Sequence, residues 1–231
     1  MNRPDHRLRP RLLRHHLPLA ALSTVFIVTL YVTRPFKDVI TRLSFATAYP
    51  AIILLAATLL TGPMNILLRR RNPVSSDLRR DIGIWAGAVS ILHAIVGQCV
   101  HLRGRPWLYY VYSPQEKHIG LRRDVFGFAN YTGLSATFAV LTLFATSNDL
   151  SLRALGTPRW KALQRWNYAV FGLAAMHSFG YQAIETQNII WISITVSCVV
   201  LTIAVQVAGF LKRRWSARGA FRDIEPDVAE R

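Results

Sequence analysis

Three histidines stand inside long apolar runs, where an imidazole is costly unless its nitrogens are used. His93 and His101 belong to SILHAIVGQCVHL (90–102), which has no Asp, Glu, Lys or Arg, and His177 stands in another uncharged run. Such a side chain can ligate a metal centre, relay protons or serve as a hydrogen-bonded structural group. The other four histidines fall in tails or loops, where we expect them to be solvated: His6, His15, His16 and His118.

Charge-free runs define the elements that must position these histidines. A helix needs about 20 apolar residues to cross the hydrocarbon core, within a range of about 17–25. The sequence therefore predicts an all-α integral membrane protein, a six-transmembrane-helix bundle of residues 17–211. A basic arm (1–16) precedes it, and a polar tail (212–231) follows. The predicted spans are residues 17–33, 43–68, 82–102, 125–148, 166–184 and 186–211.

The distribution of the basic residues predicts the orientation of the bundle. With six spans, 20 of the 28 Lys and Arg residues fall on the side that holds both termini. The positive-inside rule places that side in the cytoplasm. The basic residues behind the net charge of +16 thus set the topology and attract anionic membrane lipid. We therefore expect no nucleic-acid partner. The run at 17–33 ends without a small-x-small cleavage pattern, so we expect an uncleaved anchor and not a secretory signal.

The depths of two histidines match. His93 lies twelve residues after Asp81, and His177 lies twelve residues after Arg165, the last inner-side charges before their spans. At 1.5 Å per residue, each imidazole sits about 18 Å above the inner boundary. Two histidines at one depth on two helices suit the axial ligation of a haem iron, although a proton path or hydrogen-bonded structural groups use the same residues.

Two stretches of the chain resemble the ferric-reductase-like transmembrane domain superfamily. They are RRDIGIWAGAVSILHAIVG (79–97) and LRALGTPRWKALQRWNYAVFGLAAMHSFGY (152–181). This group includes ferric reductases, NADPH oxidases and the haem-binding membrane subunit of the periplasmic methionine sulfoxide reductase system. The resemblance implies a six-helix bundle in the bacterial inner membrane that holds haem b and passes electrons across the bilayer. It also implies that His93 and His177 are the ligands of the haem iron.

One position departs from the family pattern. Where members often carry a second histidine on the fifth span, this chain has Gln164, and the third span offers Arg79 and Arg80 at that depth. Because glutamine lacks a basic ring nitrogen, we expect one haem and no inner bis-His haem. Its electrons would come from a quinol, a flavin or a partner protein near the inner face. The chain contains no GxGxxG loop or P-loop, so we expect no nucleotide- or flavin-binding domain within it.

His101 lies eight residues past His93, about 12 Å nearer the outer face, so the two cannot share an iron. It either contacts a haem propionate, carries a proton or reaches water at the interface. Four arginines are better placed than His101 to pair with haem propionates at the outer face. Contact with lipid head groups would explain each of them equally well: Arg103, Arg105, Arg122 and Arg123.

These observations predict a membrane b-type cytochrome with one bis-His haem, which passes electrons from a cytoplasmic-side or quinol donor to an outer-side acceptor. We expect an electron-transfer component that works beside donor and acceptor proteins, since no substrate pocket is visible in the sequence. The alternative is a haem-free transporter or assembly factor that uses its intramembrane histidines as a proton path.

Overall fold

The structure, a computed structural model, describes residues 11–34, 36, 38–69, 74–102, 104–115, 119–185 and 188–222, with backbone only at 74–76 and 217–222. A π-helical turn, Leu12–His16, runs directly into the first helix. The α-helices of the described chain are α1 (Leu17–Thr33), α2 (Val39–Leu67), α3 (Val74–Gly97), α4 (Val125–Ala145), α5 (Asp149–Gln164), α6 (Asn167–Ile184) and α7 (Ile189–Arg222). The described residues include no β-strand, so the all-α prediction is confirmed.

Four helical segments are long and apolar enough to cross a membrane: Leu12–Thr33, Val39–Leu67, Val125–Ala145 and Ile189–Ser216. They indicate a membrane protein. α3 and α6 are not among them, because polar residues lower their hydropathy. α3 begins with a charged turn that includes Asp77, and α6 carries Asn167, His177 and Gln182. The helices that carry His93 and His177 are thus more polar than the four segments that are long and apolar enough to cross a membrane.

α2 is the central helix of the bundle. It packs chiefly against α3 and α7, and also against α1, while α4 packs chiefly against α6. The buried apolar core joins α2, α3, α4 and α6. α1 and α7 leave large apolar side chains exposed, a surface expected of helices that face lipid tails. These side chains include Leu22, Val25, Val28, Val200, Leu201, Ile203 and Phe210.

Pro63 lies inside α2 without ending the helix. Proline lacks the N–H that would bond the carbonyl four residues earlier, which is Leu59 O. Gln206 of α7 donates its side-chain Nε2 to that oxygen at 2.8 Å. Gly209 lets α7 approach, because a Cβ there would lie 2.6 Å from Pro63 Cβ. A neighbouring helix therefore satisfies the backbone group that the proline leaves free.

Several helix ends differ from the predicted spans. α2 begins at Val39, before the predicted residue 43, because Asp38 caps it by accepting the amide of Thr41 at 2.8 Å. The predicted loop at 149–165 is the helix α5, interrupted at Gly156 with φ 71°. α7 continues to Arg222 and includes part of the predicted polar tail. Helix formation thus extends beyond the charge-free runs, since long basic side chains are good helix formers.

The N-terminal turn is attached to the start of α3 through Asp81, whose side chain is fully buried. Arg11 Nε donates to the carboxylate at 3.0 Å, His15 Nδ1 lies 2.7 Å from Oδ2, and His16 Nε2 lies 3.2 Å from Oδ1. The hydrogen bond to Asp81 raises the pKa of Arg11 above its ordinary value. The last residues of the predicted basic arm are therefore part of the folded bundle, while residues 1–10 lie outside the described residues.

Replacing Asp81 with asparagine is expected to lower the free energy of unfolding by about 1–3 kcal/mol, since it removes a buried hydrogen-bonded charge network. The three partners are partly exposed and can rehydrate, which limits the loss. Thermal unfolding in detergent measures the effect. Asp149→Asn is the control, because the Asp149 side chain is 70% exposed and its ion pair with Arg80 is worth at most about 1 kcal/mol. Equal shifts in the two variants would contradict this role of Asp81.

Candidate functional site

A cavity of about 510 Å³ lies between α2, α3, α4 and α6. Its size falls within the range of about 300–1,000 Å³ that is common for ligand sites. His93 and His177 both line it, and so does His101. Most of its wall is apolar, with a small set of polar groups, which is the usual composition of a small-molecule or cofactor site.

The structure brings together the two histidines for which the sequence predicts equal depth. The ring centres of His93 and His177 are 6.1 Å apart, and their planes are inclined by 72°. His93 projects from α3 and His177 from α6, so two different helices contribute the pair. This is the arrangement in which helix bundles build cofactor sites from facing side chains.

Backbone carbonyls hold both rings by the same nitrogen. His177 Nδ1 donates to Ala129 O of α4 at 2.7 Å, and His93 Nδ1 donates to Ser44 O of α2 at 3.1 Å. Because a carbonyl oxygen only accepts, each Nδ1 carries the hydrogen and each Nε2 presents its lone pair. Among the described residues, neither Nε2 has a hydrogen-bond partner. Metal-ligating histidines commonly have this second hydrogen bond, which fixes the tautomer and the ring orientation.

A glycine of α4 makes room for the His177 ring. A Cβ at Gly133 would lie 2.5 Å from His177 Nδ1, closer than any side chain permits. Gly97 lines the cavity, whereas Gly180 serves helix packing, because a Cβ there would lie 2.7 Å from Ala129 Cβ. The small residues near the two histidines thus divide between cavity wall and helix contact.

The separation of the two rings would suit two ligands of one metal ion. Two imidazoles that bind one metal through bonds of about 2.0–2.1 Å would have ring centres roughly 6 Å apart, which agrees with the 6.1 Å observed. The described residues hold no group of three or more His, Cys, Asp or Glu side chains suited to a metal ion. A two-histidine site suits a group that supplies the remaining ligands itself, as a porphyrin does.

His101 lines the same cavity beyond the C-terminal end of α3. The predicted helix over 82–102 ends at Gly97, where the Tyr109 hydroxyl donates to Gly97 O at 3.1 Å and accepts the His101 amide at 2.8 Å. The His101 ring stacks on Tyr181 at 5.9 Å, and its Nε2 lies 3.6 Å from Glu185 Oε1. His101 therefore has protein partners of its own, and the choice among its three predicted roles stays a prediction.

The predicted outer-face arginines do not line the cavity where the structure describes them. Arg105 and Arg123 are exposed. Arg122 donates its Nε to Leu108 O at 2.9 Å and lies over the rings of Tyr112 and Phe126. Arg103 lies outside the described residues. Their predicted contact with propionates stays a prediction, and Arg122 has a clear structural role in holding the outer connection.

Gln164 lines a second cavity in the opposite half of the bundle, together with Arg79 and Arg80. α3 contacts both cavities, the second one through its first turns and the first one through its last turns. The histidine pair and Gln164 therefore belong to separate sites. The second cavity includes no histidine among its described lining residues.

Sequence reasoning missed the residues that hold the imidazoles. Ser44 and Ala129 act through backbone carbonyls, which carry no side-chain signal. Gly133 stands in a run of small residues and was not distinguished from ordinary packing positions. Tyr181 lies 5.0 Å from the His177 ring and donates its hydroxyl to Asn130 Oδ1 at 2.9 Å. The position of Tyr181, four residues after His177 and one helical turn away, is the signal that could have found it.

A comparison with protein-family models finds no match for this sequence. The resemblance to the ferric-reductase-like superfamily therefore stays a prediction from the two histidine-bearing stretches.

Proposed function

We propose that this protein is a membrane b-type cytochrome that holds one haem between His93 and His177 and moves electrons across the bilayer. One observation carries the proposal: two imidazoles from different helices lie 6.1 Å apart across a cavity, and backbone carbonyls hold each through Nδ1. The bound haem would supply one-electron exchange between ferric and ferrous iron.

The six-span arrangement is part of this proposal. α3 and α6 pack within the bundle beside helices that are long and apolar enough to cross a membrane. Among their polar side chains, His93 and His177 line a cavity and Gln182 bonds to Thr195 of α7, positions in which membrane helices tolerate polar groups. With both termini in the cytoplasm, as in a bacterial inner membrane, the histidine pair lies toward the outer half of the bundle.

The surrounding residues tune and connect the site. Nδ1–H donation to a carbonyl increases the basicity of the imidazole and so strengthens a bond to iron. Tyr181 lies between His177 and His101, so a series of aromatic rings leads from the pair to the outer end of the cavity. An outer-side acceptor would dock near that end. The donor, a quinol, a flavin or a partner protein, would approach from the inner half.

A proton path is the second candidate function, and the same histidines favour it. His93 Nδ1 lies 3.3 Å from Thr47 Oγ1 as well as near Ser44 O, so a relay through hydroxyl groups has a first member. A proton relay requires neither a ring separation of about 6 Å nor one fixed tautomer of each imidazole. Ligation of a single iron by two imidazoles requires both. The ring geometry therefore favours the cytochrome.

The absorption spectrum separates these functions. The protein, expressed with a haem supply and purified in detergent, is expected to show a Soret band, and reduction with dithionite should sharpen its visible bands as in a six-coordinate bis-imidazole haem. Proteoliposomes without haem should show no proton flux above that of empty vesicles. A colourless protein that conducts protons would overturn the proposal.

A further inference from the structure

The second cavity is a separate chamber of about 730 Å³ in the inner half of the bundle. It lies between α2, α3, α4, α5 and α7, near the start of α3 and the end of α5. The proposed haem site does not use it. Its wall has a cationic part and an apolar part. A small polar ligand would contact only the first of them.

One part of the wall is cationic. Five basic side chains from α3, the end of α5 and α7 line the cavity, and its described lining residues include no Asp or Glu: Arg79, Arg80, Lys161, Arg165 and Arg213. Arg80 donates to Asp149 at 2.7 Å and holds the pKa of that carboxyl below its usual range. None of the other four forms an ion pair with a carboxylate among the described residues, so this part of the wall carries a net positive charge.

The other part of the wall is apolar and reaches toward the centre of the bundle. It is formed by side chains of α2, α4 and α7: Leu55, Ile66, Val140, Leu143, Phe144 and Phe210. A cationic mouth above an apolar interior matches an amphiphile with an anionic head and a hydrocarbon chain. Basic pockets between membrane helices on the cytoplasmic side bind anionic lipid head groups by this chemistry.

Gln164 adds an independent observation. Its Nε2 is buried against the cavity wall and has no hydrogen-bond partner among the described residues. A buried donor without a partner costs about 1–3 kcal/mol. Rotation of the Gln164 side chain, which lines the cavity, would bring this donor to a phosphate oxygen beside the neighbouring cations.

We propose that this inner cavity is a binding site for one anionic phospholipid, whose phosphate is held by Lys161, Arg165 and Gln164 and whose acyl chain enters the apolar interior. This inference uses the six-span orientation but not the haem, so it stands or fails separately from the cytochrome assignment. A neutral quinol head would gain little from five cations. A soluble phosphate compound would leave the apolar interior unfilled.

Lipid retention measured by native mass spectrometry tests the site. The full chain is reconstituted in nanodiscs that contain equal amounts of phosphatidylglycerol and phosphatidylcholine, and the lipid that remains on the released protein is identified. The test variant is Lys161→Gln with Arg165→Gln. The control is Arg153→Gln with Arg159→Gln, which removes two exposed cations of the same helix that do not line the cavity.

We expect the wild-type chain and the control to retain one phosphatidylglycerol, and the test variant to bind it about fivefold more weakly for each removed cation. Equal retention of the two lipids, or equal loss in the two double variants, would overturn the proposal, because both results describe general attraction of lipid to a basic surface. Displacement of the lipid by millimolar inorganic phosphate alone would also overturn it and would indicate a water-soluble ligand. Folding is checked by helical circular dichroism, and Gln164→Leu, which keeps every charge, should weaken retention in the same direction.

Discussion

His177→Ala is expected to reduce the haem content of the purified protein at least about tenfold, and His93→Ala should do the same. Each substitution removes one of two imidazoles that face a common cavity. Neither ring has a described neighbour that could replace it, since His101 lies beyond the end of α3, beside Tyr181 and Glu185. The measurement is the Soret absorbance per unit of protein after expression with a haem supply.

His101→Ala is the matched control for these two variants. It removes an imidazole that lines the same cavity but has its own protein partners, so haem content should stay near the wild-type value. Added imidazole should restore part of the Soret band to His177→Gly, because a free ring can occupy the space of the lost side chain. Full haem content in both alanine variants would contradict the ligand assignment even if the protein is a cytochrome.

Gly133→Ala is expected to lower haem affinity about 10–100-fold without touching either proposed ligand, as losses in the outer shell of a metal site do. The added Cβ would lie 2.5 Å from His177 Nδ1. The ring must then move and lose its 2.7 Å hydrogen bond to Ala129 O. Overpacking of this kind also costs about 1–3 kcal/mol of stability. Haem titration of the apoprotein, followed by absorbance, measures the change in affinity.

Gly172→Ala provides the control for that substitution. Gly172 lies on α6, the same helix as His177, and a Cβ there would meet no atom within 4 Å. Its haem affinity should equal that of the wild type, and its stability should be unchanged or slightly higher, because alanine favours a helix over glycine. If both glycine variants lose haem equally, Gly133 does not position His177.

The sequence allowed the helical class and the pairing of two histidines to be predicted, because charge-free length and the helical rise are regular quantities. It did not allow the helix ends to be predicted. Asp38 extends α2 toward its N-terminus by a side-chain cap, and the Tyr109 hydroxyl marks the end of α3 from a residue twelve positions away. Such contacts depend on where distant parts of the chain meet.

Asp81 does not lie at a water boundary, although the sequence predicts that position for it. It was used as a marker of the inner boundary, yet its carboxylate is fully buried beneath Arg11, His15 and His16. The structure nevertheless brings His93 and His177 together, with ring centres 6.1 Å apart. The carbonyls that hold the rings had no counterpart in sequence, since any residue type supplies a carbonyl.

The number of haems per chain decides whether this protein is a single-haem cytochrome. It is obtained from the pyridine haemochrome spectrum and the protein concentration by amino-acid analysis, on detergent-purified protein loaded with excess haem and freed of unbound haem. We predict one haem per chain, held by His93 and His177. A value of zero would contradict the cytochrome assignment, and a value of two would contradict the conclusion that Gln164 and its cavity hold no second haem.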